Sequence, residues 1–344
     1  MAIIFPEQLD DWTVSGARVI VTATADGNRA QFTQECNENE EVVIDGLGDL
    51  FQDLSDSNPI QCTLETQAYM DEDAETADDP IVETFTLIRS EVQIGETAAN
   101  FNTNNFLNLQ QGTKDTYIGA TELLSVYTDT KGFQNLTVKK TWADVETGDI
   151  KETTETVKSM YVFKAGFCEW QFTVNEDGAP ADGMQLIEIE ASYGERVQRY
   201  AVRECRDAAP FSLYYINNFG VRDTFHFFGG STRTVQAERE SALFNEGKAI
   251  TRTYAVTRNT ETTARTGILR EESLRAFEDL CCTRQAWNQE GKEIYIKDNE
   301  LEYSDAYGSP QQGSITYGES NARAAFSKGK EAETFDRSFD GSFK

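Results

Sequence analysis

The chain has 344 residues, with 31 Lys+Arg against 59 Asp+Glu and a formal net charge of −28. A charge of that sign repels phosphate backbones and argues against nucleic-acid binding through a basic face. Hydrophobic residues make up 39% and aromatics 11%. That is enough for two or three cores at about 100–200 residues per domain, while no stretch approaches the ~18 apolar residues of a membrane-spanning helix.

The N-terminus, Met1 to Pro6, lacks a basic region followed by an apolar one, so no secretory signal is expected. Residues 1–90 carry three basic side chains (Arg18, Arg29, Arg89) and twenty acidic ones, so this quarter holds −17 of the −28. Ala17–Thr24 reads as a strand followed by an Asp26-Gly27-Asn28 turn. Thr63–Met70 and Ile81–Ile88 alternate apolar with polar residues, as a half-buried hairpin does, and flank the acidic run Asp71–Pro80. Asp71, Asp73 and Glu75 take positions 1, 3 and 5 of a Ca²⁺ loop. Thr76 and Val82 stand where such a loop needs Gly and Glu. A solvated hairpin tip is the plainer reading, with these three as the candidate cation ligands or as a dock for a basic surface. No metal and no cofactor is expected. Phe101–Gly112, rich in Asn and Gln, reads as an irregular crossing segment.

A second unit spans 116–208. Its strands Leu136–Trp142, Ile150–Tyr161, Glu169–Val174, Leu186–Ala191 and Val197–Val202 are separated by turn signals such as Glu146-Thr147-Gly148-Asp149. About seven short strands over about 90 residues suggest an immunoglobulin-like β-sandwich. A third unit, 209–330, opens with Phe211–Ile216 and Thr224–Phe228, both apolar on two faces. A strand pair of that kind is either the centre of a sheet or is covered by a neighbouring subunit. His226, the single histidine, lies inside it and reads as a packed, hydrogen-bonded side chain. One helix is predicted, starting at Thr266 or Arg270. Leu274, Phe277, Leu280 and Cys281 share a face, Glu271 and Glu272 lie in the first turn, and Arg284 lies near the end. Lys292–Lys297 is a strand. The tail, 331–344, carries Phe335, Phe339 and Phe343 four residues apart. The fold class expected is therefore mainly β: tandem β-sandwich or β-rich units over 1–115, 116–208 and 209–330, with one short helix in the C-terminal unit.

Motifs for chemistry are missing. There is no Walker loop, no G-x-G-x-x-G after a strand, no G-x-S-x-G and no H-E-x-x-H. No catalytic residues are assigned and no enzyme is expected. A carboxylate-based hydrolase would be defined by geometry across a cleft, which a chain this acidic hides. None of the six cysteines (Cys36, Cys62, Cys168, Cys205, Cys281, Cys282) forms a C-x-x-C pair, and buried apolar thiols in a reducing compartment are the expected state.

Two stretches, Val42-Val43-Ile44-Asp45-Gly46-Leu47-Gly48-Asp49-Leu50 and Leu213 to Phe225 (LYYINNFGVRDTF), resemble β-rich virion proteins of tailed bacteriophages, of the tail or baseplate type. The later order is similar too: strand 252–257, the 270–281 helix, then 292–297. The resemblance implies a structural subunit made in the host cytoplasm and localised in the virion. Its partners would be further copies of itself and other virion proteins, with no nucleic acid. The expected assembly contacts are Tyr214, Tyr215, Phe219 and Phe225 of the aromatic hairpin and Phe335, Phe339 and Phe343 of the tail. The alternatives are a receptor- or carbohydrate-binding adhesin of the particle and, behind it, the hydrolase.

Overall fold

The structure, a computed structural model, describes residues 2–5, 12–15, 18–35, 41–44, 47–55, 57–69, 79–89, 101, 103–110, 112–164, 166–204, 209–245, 249–302 and 311–319. It is mainly β, 61% strand and 8% helix, in several sheets. The chain divides into two compact units. The first comprises 1–114, 121–202 and 216–223; the second comprises 115–120, 203–215 and 224–344.

The first segment of the first unit contains β1 (Ala2–Phe5), β2 (Trp12–Ser15), β3 (Arg18–Ala25), β4 (Asn28–Glu35), β5 (Glu41–Ile44), helix α1 (Leu47–Leu54), β6 (Ile60–Tyr69) and β7 (Ile81–Arg89). An antiparallel sheet runs β1-β7-β6-β3-β4, and β2 pairs with β5. The β3–β4 hairpin turns at Asp26 and Gly27, both with positive φ (49° and 86°), as a two-residue turn matched to strand twist requires. Val19, Val21, Ala23, Leu64 and Leu87 line one sheet face. Helix α1 closes it with Phe51, whose ring meets Phe85 edge-on at 5.0 Å. This helix was not predicted. Two turns are too short to announce themselves by periodicity.

The sandwich comprises β8 (Thr113–Thr116), β9 (Thr121–Thr128), β10 (Asn135–Asp144), β11 (Ile150–Lys158), β12 (Gly166–Thr173), β13 (Met184–Tyr193) and β14 (Arg196–Val202). One sheet runs β11-β10-β13-β14-β8 and the other pairs β12 with β9. Alternation does the sorting: on β10, Leu136, Val138 and Trp142 point inward while Thr137 stays exposed. The two sheets interlock through aromatic rings. Trp170 on β12 meets Tyr193 on β13 at 4.8 Å, and Phe172 meets Tyr200 on β14 at 5.7 Å.

The remaining strands are β15 (Phe211–Ile216), β16 (Arg222–Phe227), β17 (Ser231–Asn245), β18 (Ala249–Arg265), β19 (Ala286–Trp287), β20 (Glu293–Glu302) and β21 (Gln312–Glu319), with helix α2 (Glu271–Cys282) before β19. They form one sheet, ordered β16-β15-β19-β20-β21-β18-β17. Helix α2 packs Ala276, Phe277 and Leu280 against Leu213, Tyr215, Phe225, Phe227 and Ile315. The predicted face is the packed one. Glu271 and Glu272 occupy the first turn, and the helix ends at Cys282, so Arg284 lies just beyond it. Arg270, the residue before the helix, bonds Asp115 Oδ1 through Nε at 2.9 Å, and Arg203 pairs with the same carboxylate. Gly313 on β21 lies against this core. A Cβ built there would overlap the Phe277 ring and approach Glu300 O to 3.1 Å. Gly313→Ala is expected to cost about 1–3 kcal/mol by overpacking, read as a lower urea midpoint. An unchanged midpoint would mean the Phe277 ring is not held as described.

Candidate functional site

The aromatic hairpin packs inward. Tyr215 and Phe219 are fully buried and Phe225 is 3% exposed, while Tyr214 is half-buried. Tyr215 donates its hydroxyl to Ala276 O at 3.2 Å, Phe225 packs on Phe277, and Phe219 stacks on Phe101 at 5.4 Å. The chain's own residues cover these three side chains, which removes the reason for expecting a neighbouring subunit over them. His226 is buried with Nδ1 2.8 Å from Ser212 Oγ, and Ser212 in turn meets the Tyr117 hydroxyl at 2.9 Å. The network continues to Gln289, whose Nε2 donates to the Tyr117 hydroxyl at 2.6 Å. Phe335, Phe339 and Phe343, and also Asp71, Asp73 and Glu75, lie outside the described residues.

A different aromatic surface stands on the sandwich. The β9–β10 loop exposes Phe133 (59%), and the β11–β12 loop exposes Met160 (70%), Tyr161 (46%) and Phe163 (79%). The rings run in a row: Phe133 meets Tyr161 edge-on at 5.1 Å, and Tyr161 meets Phe163 at 4.7 Å. The backbone dictates this display. Gly132 and Val162 form an antiparallel bridge, with reciprocal N–H···O bonds of 2.9 and 3.0 Å. In an extended segment neighbouring side chains alternate, so Val162 turns into the core while Tyr161 and Phe163 face water. On the facing loop Gln134 turns inward and Phe133 outward.

Gln134 locks the two loops together. Its carbonyl accepts from Ser159 N–H (2.9 Å) and from Trp170 Nε1–H (3.0 Å). Its side-chain Oε1 accepts from the Tyr193 hydroxyl (3.0 Å), its Nε2 donates to Thr130 O (3.1 Å), and its own N–H donates to Ser159 Oγ (3.0 Å). A buried amide hydrogen-bonded at both ends in this way rigidifies what it touches. The rings are thus presented on a fixed frame, and less ordering entropy opposes binding there. The rim is basic for so acidic a chain. Lys131, Lys158 and Lys164 are exposed in or beside these loops, with Asp129 the one acidic residue there. The sequence held a signal for the site: the apolar run Met160–Phe163, set between Lys158 and Lys164 and following a polar strand.

A second concentration of chemistry is buried in the first unit. Lys114 on β8 has its Nζ 3.0 Å from Glu122 Oε2 and 3.7 Å from Asp223 Oδ1, and all three side chains are at most 8% exposed. Burial acts against the ammonium, and Glu122 and then Asp223 outweigh it, so the Lys114 pKa is displaced upward. The phenol of Tyr200 is pushed well above its ordinary value by burial and by the same two carboxylates.

Cys62 and Cys168 are buried and free, Cys281 is half-buried and Cys282 exposed. Cys36 and Cys205 lie outside the described residues. Burial, and then the Asp26 carboxylate, pushes Cys62 up to about 12; burial, and then Cys282, does the same to Cys281. Because the thiolate is the nucleophile, Cys282 is expected to react with a disulfide reagent at pH 8 well before Cys62 and Cys281. Equal labelling of all three in the folded chain would contradict this. Among the described residues no group of three or more His, Cys, Asp or Glu side chains is placed to hold a metal ion, and no helix is long and apolar enough to cross a membrane.

A scan against protein-family models finds no match for the chain, and a search of curated proteins finds no relative.

Proposed function

We propose that the chain is a structural subunit of a tailed-phage virion, of the tail or baseplate, and that it acts by protein–protein assembly through the Phe133/Met160/Tyr161/Phe163 surface. The observation that carries the assembly reading is this row of exposed rings on hydrogen-bonded loops. Contiguous apolar patches rimmed by polar residues mark interaction sites, and aromatic side chains and Met are enriched where proteins meet. Placement in a phage particle rests on the resemblance of the 42–50 and 213–225 segments. The reading assigns no enzymatic activity.

Charge points to the partner. A basic rim on a chain of net −28 fits an acidic surface, and the −17 segment 1–90 of another copy offers one. Repulsion between whole copies is screened beyond about 8–10 Å at physiological salt, whereas Lys–carboxylate pairs at contact persist. A contact between two different patches of identical subunits is heterologous and builds rings or helical stacks. Sedimentation velocity on the full chain tests this. A sedimentation coefficient that climbs with concentration supports the reading, and a monomer at every concentration opposes it.

The second reading is a carbohydrate-binding module of the particle. The three exposed rings, tilted by 86° and 54° from one to the next, offer aromatic faces on which a sugar can stack. Chemical-shift changes confined to 131–134 and 159–164 on adding host-surface polysaccharide, in a chain that stays monomeric, would favour it over assembly.

A further inference from the structure

We propose that residues 79–84 of a second copy dock on the Phe133/Met160/Tyr161/Phe163 surface, with Ile81 and Val82 on the rings and Asp79 and Glu83 on the lysines. This rests on the assembly reading of that surface and names the surface's partner. Between Arg29 and Arg89 the sequence has no basic side chain and sixteen acidic ones. Among the described residues of that stretch, the large apolar side chains left exposed are Ile81 (50%) and Val82 (54%). They stand between Asp79 and Glu83, both exposed. An apolar pair set between carboxylates is thus the counterpart of a row of rings set between lysines.

The sheet explains why this pair is on display. Strand β7 pairs with β6 from Ile81 to Leu87, whereas β1 pairs with β7 only over Thr86–Arg89. Along 81–85 the strand therefore has one partner, and among the described residues no strand lies on its other edge. Phe85 turns into the core, while 79–84 stay exposed. An open strand edge is a template for another chain, and flanking charges restrict which chain it accepts. Its bonds to β6 hold this segment in place, so little ordering entropy opposes docking.

Charge selects this segment over its nearest rival. The tip of the β10–β11 hairpin also exposes apolar side chains, Val145 (72%) and Ile150 (57%), beside Asp144, Glu146 and Asp149. There Lys151, also exposed, adjoins Ile150 and opposes the lysines of the ring surface. No such repulsion arises at 79–84, where Arg89 is the nearest basic residue in the sequence. Contact of Asp79 and Glu83 with Lys131, Lys158 and Lys164 also survives salt better than the long-range repulsion between two acidic copies does. Each copy carries one ring surface and one 79–84 segment, so the contact is heterologous and continues from copy to copy.

Sedimentation velocity on mixed full-length variants tests it. Ile81→Ser with Val82→Ser should weaken self-association roughly 10- to 100-fold while the rings stay intact. Phe133→Ser with Phe163→Ser leaves the 79–84 segment intact. Each double variant alone is expected to sediment as a monomer. Their equimolar mixture is expected to give a two-copy species and nothing larger, because each variant supplies one half of a single contact. An Ile81/Val82 variant that associates like the wild type would overturn the inference and leave the ring surface in the interface. So would a mixture that stays monomeric while the wild type associates. A wild type that is monomeric at every concentration would overturn the assembly reading and this inference with it. Carbodiimide cross-linking of concentrated wild-type chain, half of it isotope-labelled, decides the matter whether or not the variants fold. Amide links between copies are expected from Lys131, Lys158 or Lys164 to Asp79 or Glu83. Links from those lysines to Asp144, Glu146 or Asp149 instead would overturn it and place the partner at the hairpin tip.

Discussion

Phe277→Ala is expected to lower the unfolding free energy by about 3–5 kcal/mol, a large part of the 5–15 kcal/mol typical of a domain. The ring is fully buried at the centre of helix α2, in contact with Phe225 (5.3 Å) and Phe227 (6.4 Å) and hard against Gly313. Removing it empties the middle of the layer between helix and sheet. The surrounding groups cannot collapse into the gap, because Phe225 and Phe227 sit on a strand fixed by its sheet bonds and α2 is held at its start by Arg270–Asp115. Urea unfolding with hydrogen exchange on β18, β20 and β21 measures the loss. A drop below about 1 kcal/mol would contradict the described packing.

The second large effect concerns assembly. Phe133→Ser combined with Phe163→Ser removes the two outer rings of the exposed row. Burying one such side chain contributes roughly 1.5–3 kcal/mol, so the pair contributes about 3–6 kcal/mol and self-association should weaken by roughly 10² to 10⁴. Folding stability should change by no more than about 0.5 kcal/mol, as for other surface positions. The patch by itself is small beside the ~800 Å² per partner of a standard interface. Contact between two free copies is therefore expected to be weak, and repeated contacts in a ring would strengthen it. A double variant that associates like the wild type would take this surface out of the interface. A variant that unfolds would show that the rings support the sandwich instead.

What the sequence disclosed follows from burial. Half-buried strands such as β3, β10 and β13 sort apolar from polar residues by alternation and are legible in the residue pattern. Strand β17 escaped that reading. Ser231–Ala237 is solvent-exposed on both faces, so its hydrogen bonds to β18 leave no apolar period. The Phe211–Phe228 segment was legible as apolar on two faces, but not what covers it. Helix α2 covers one face, and the Tyr117–Ser212–His226 group lies on the other. For the exposed rings the difficulty is the reverse. Met160–Phe163 has the composition of a buried strand, and only the Gly132–Val162 bridge turns three of its four side chains outward. The Lys114, Glu122 and Asp223 cluster was invisible for a simpler reason. Its members lie in separate strands, and no local spacing relates position 223 to 114.

We propose the loops 129–134 and 159–164 as the place where this chain meets its neighbour. Hydrogen exchange, compared between dilute and concentrated full-length protein, addresses it most directly. Slower exchange is expected in the associated sample at the exposed amides of these two loops. Exchange in the core strands β10 and β13, which are already protected, should be unchanged. Association that leaves both loops exchanging as in the dilute monomer would contradict it.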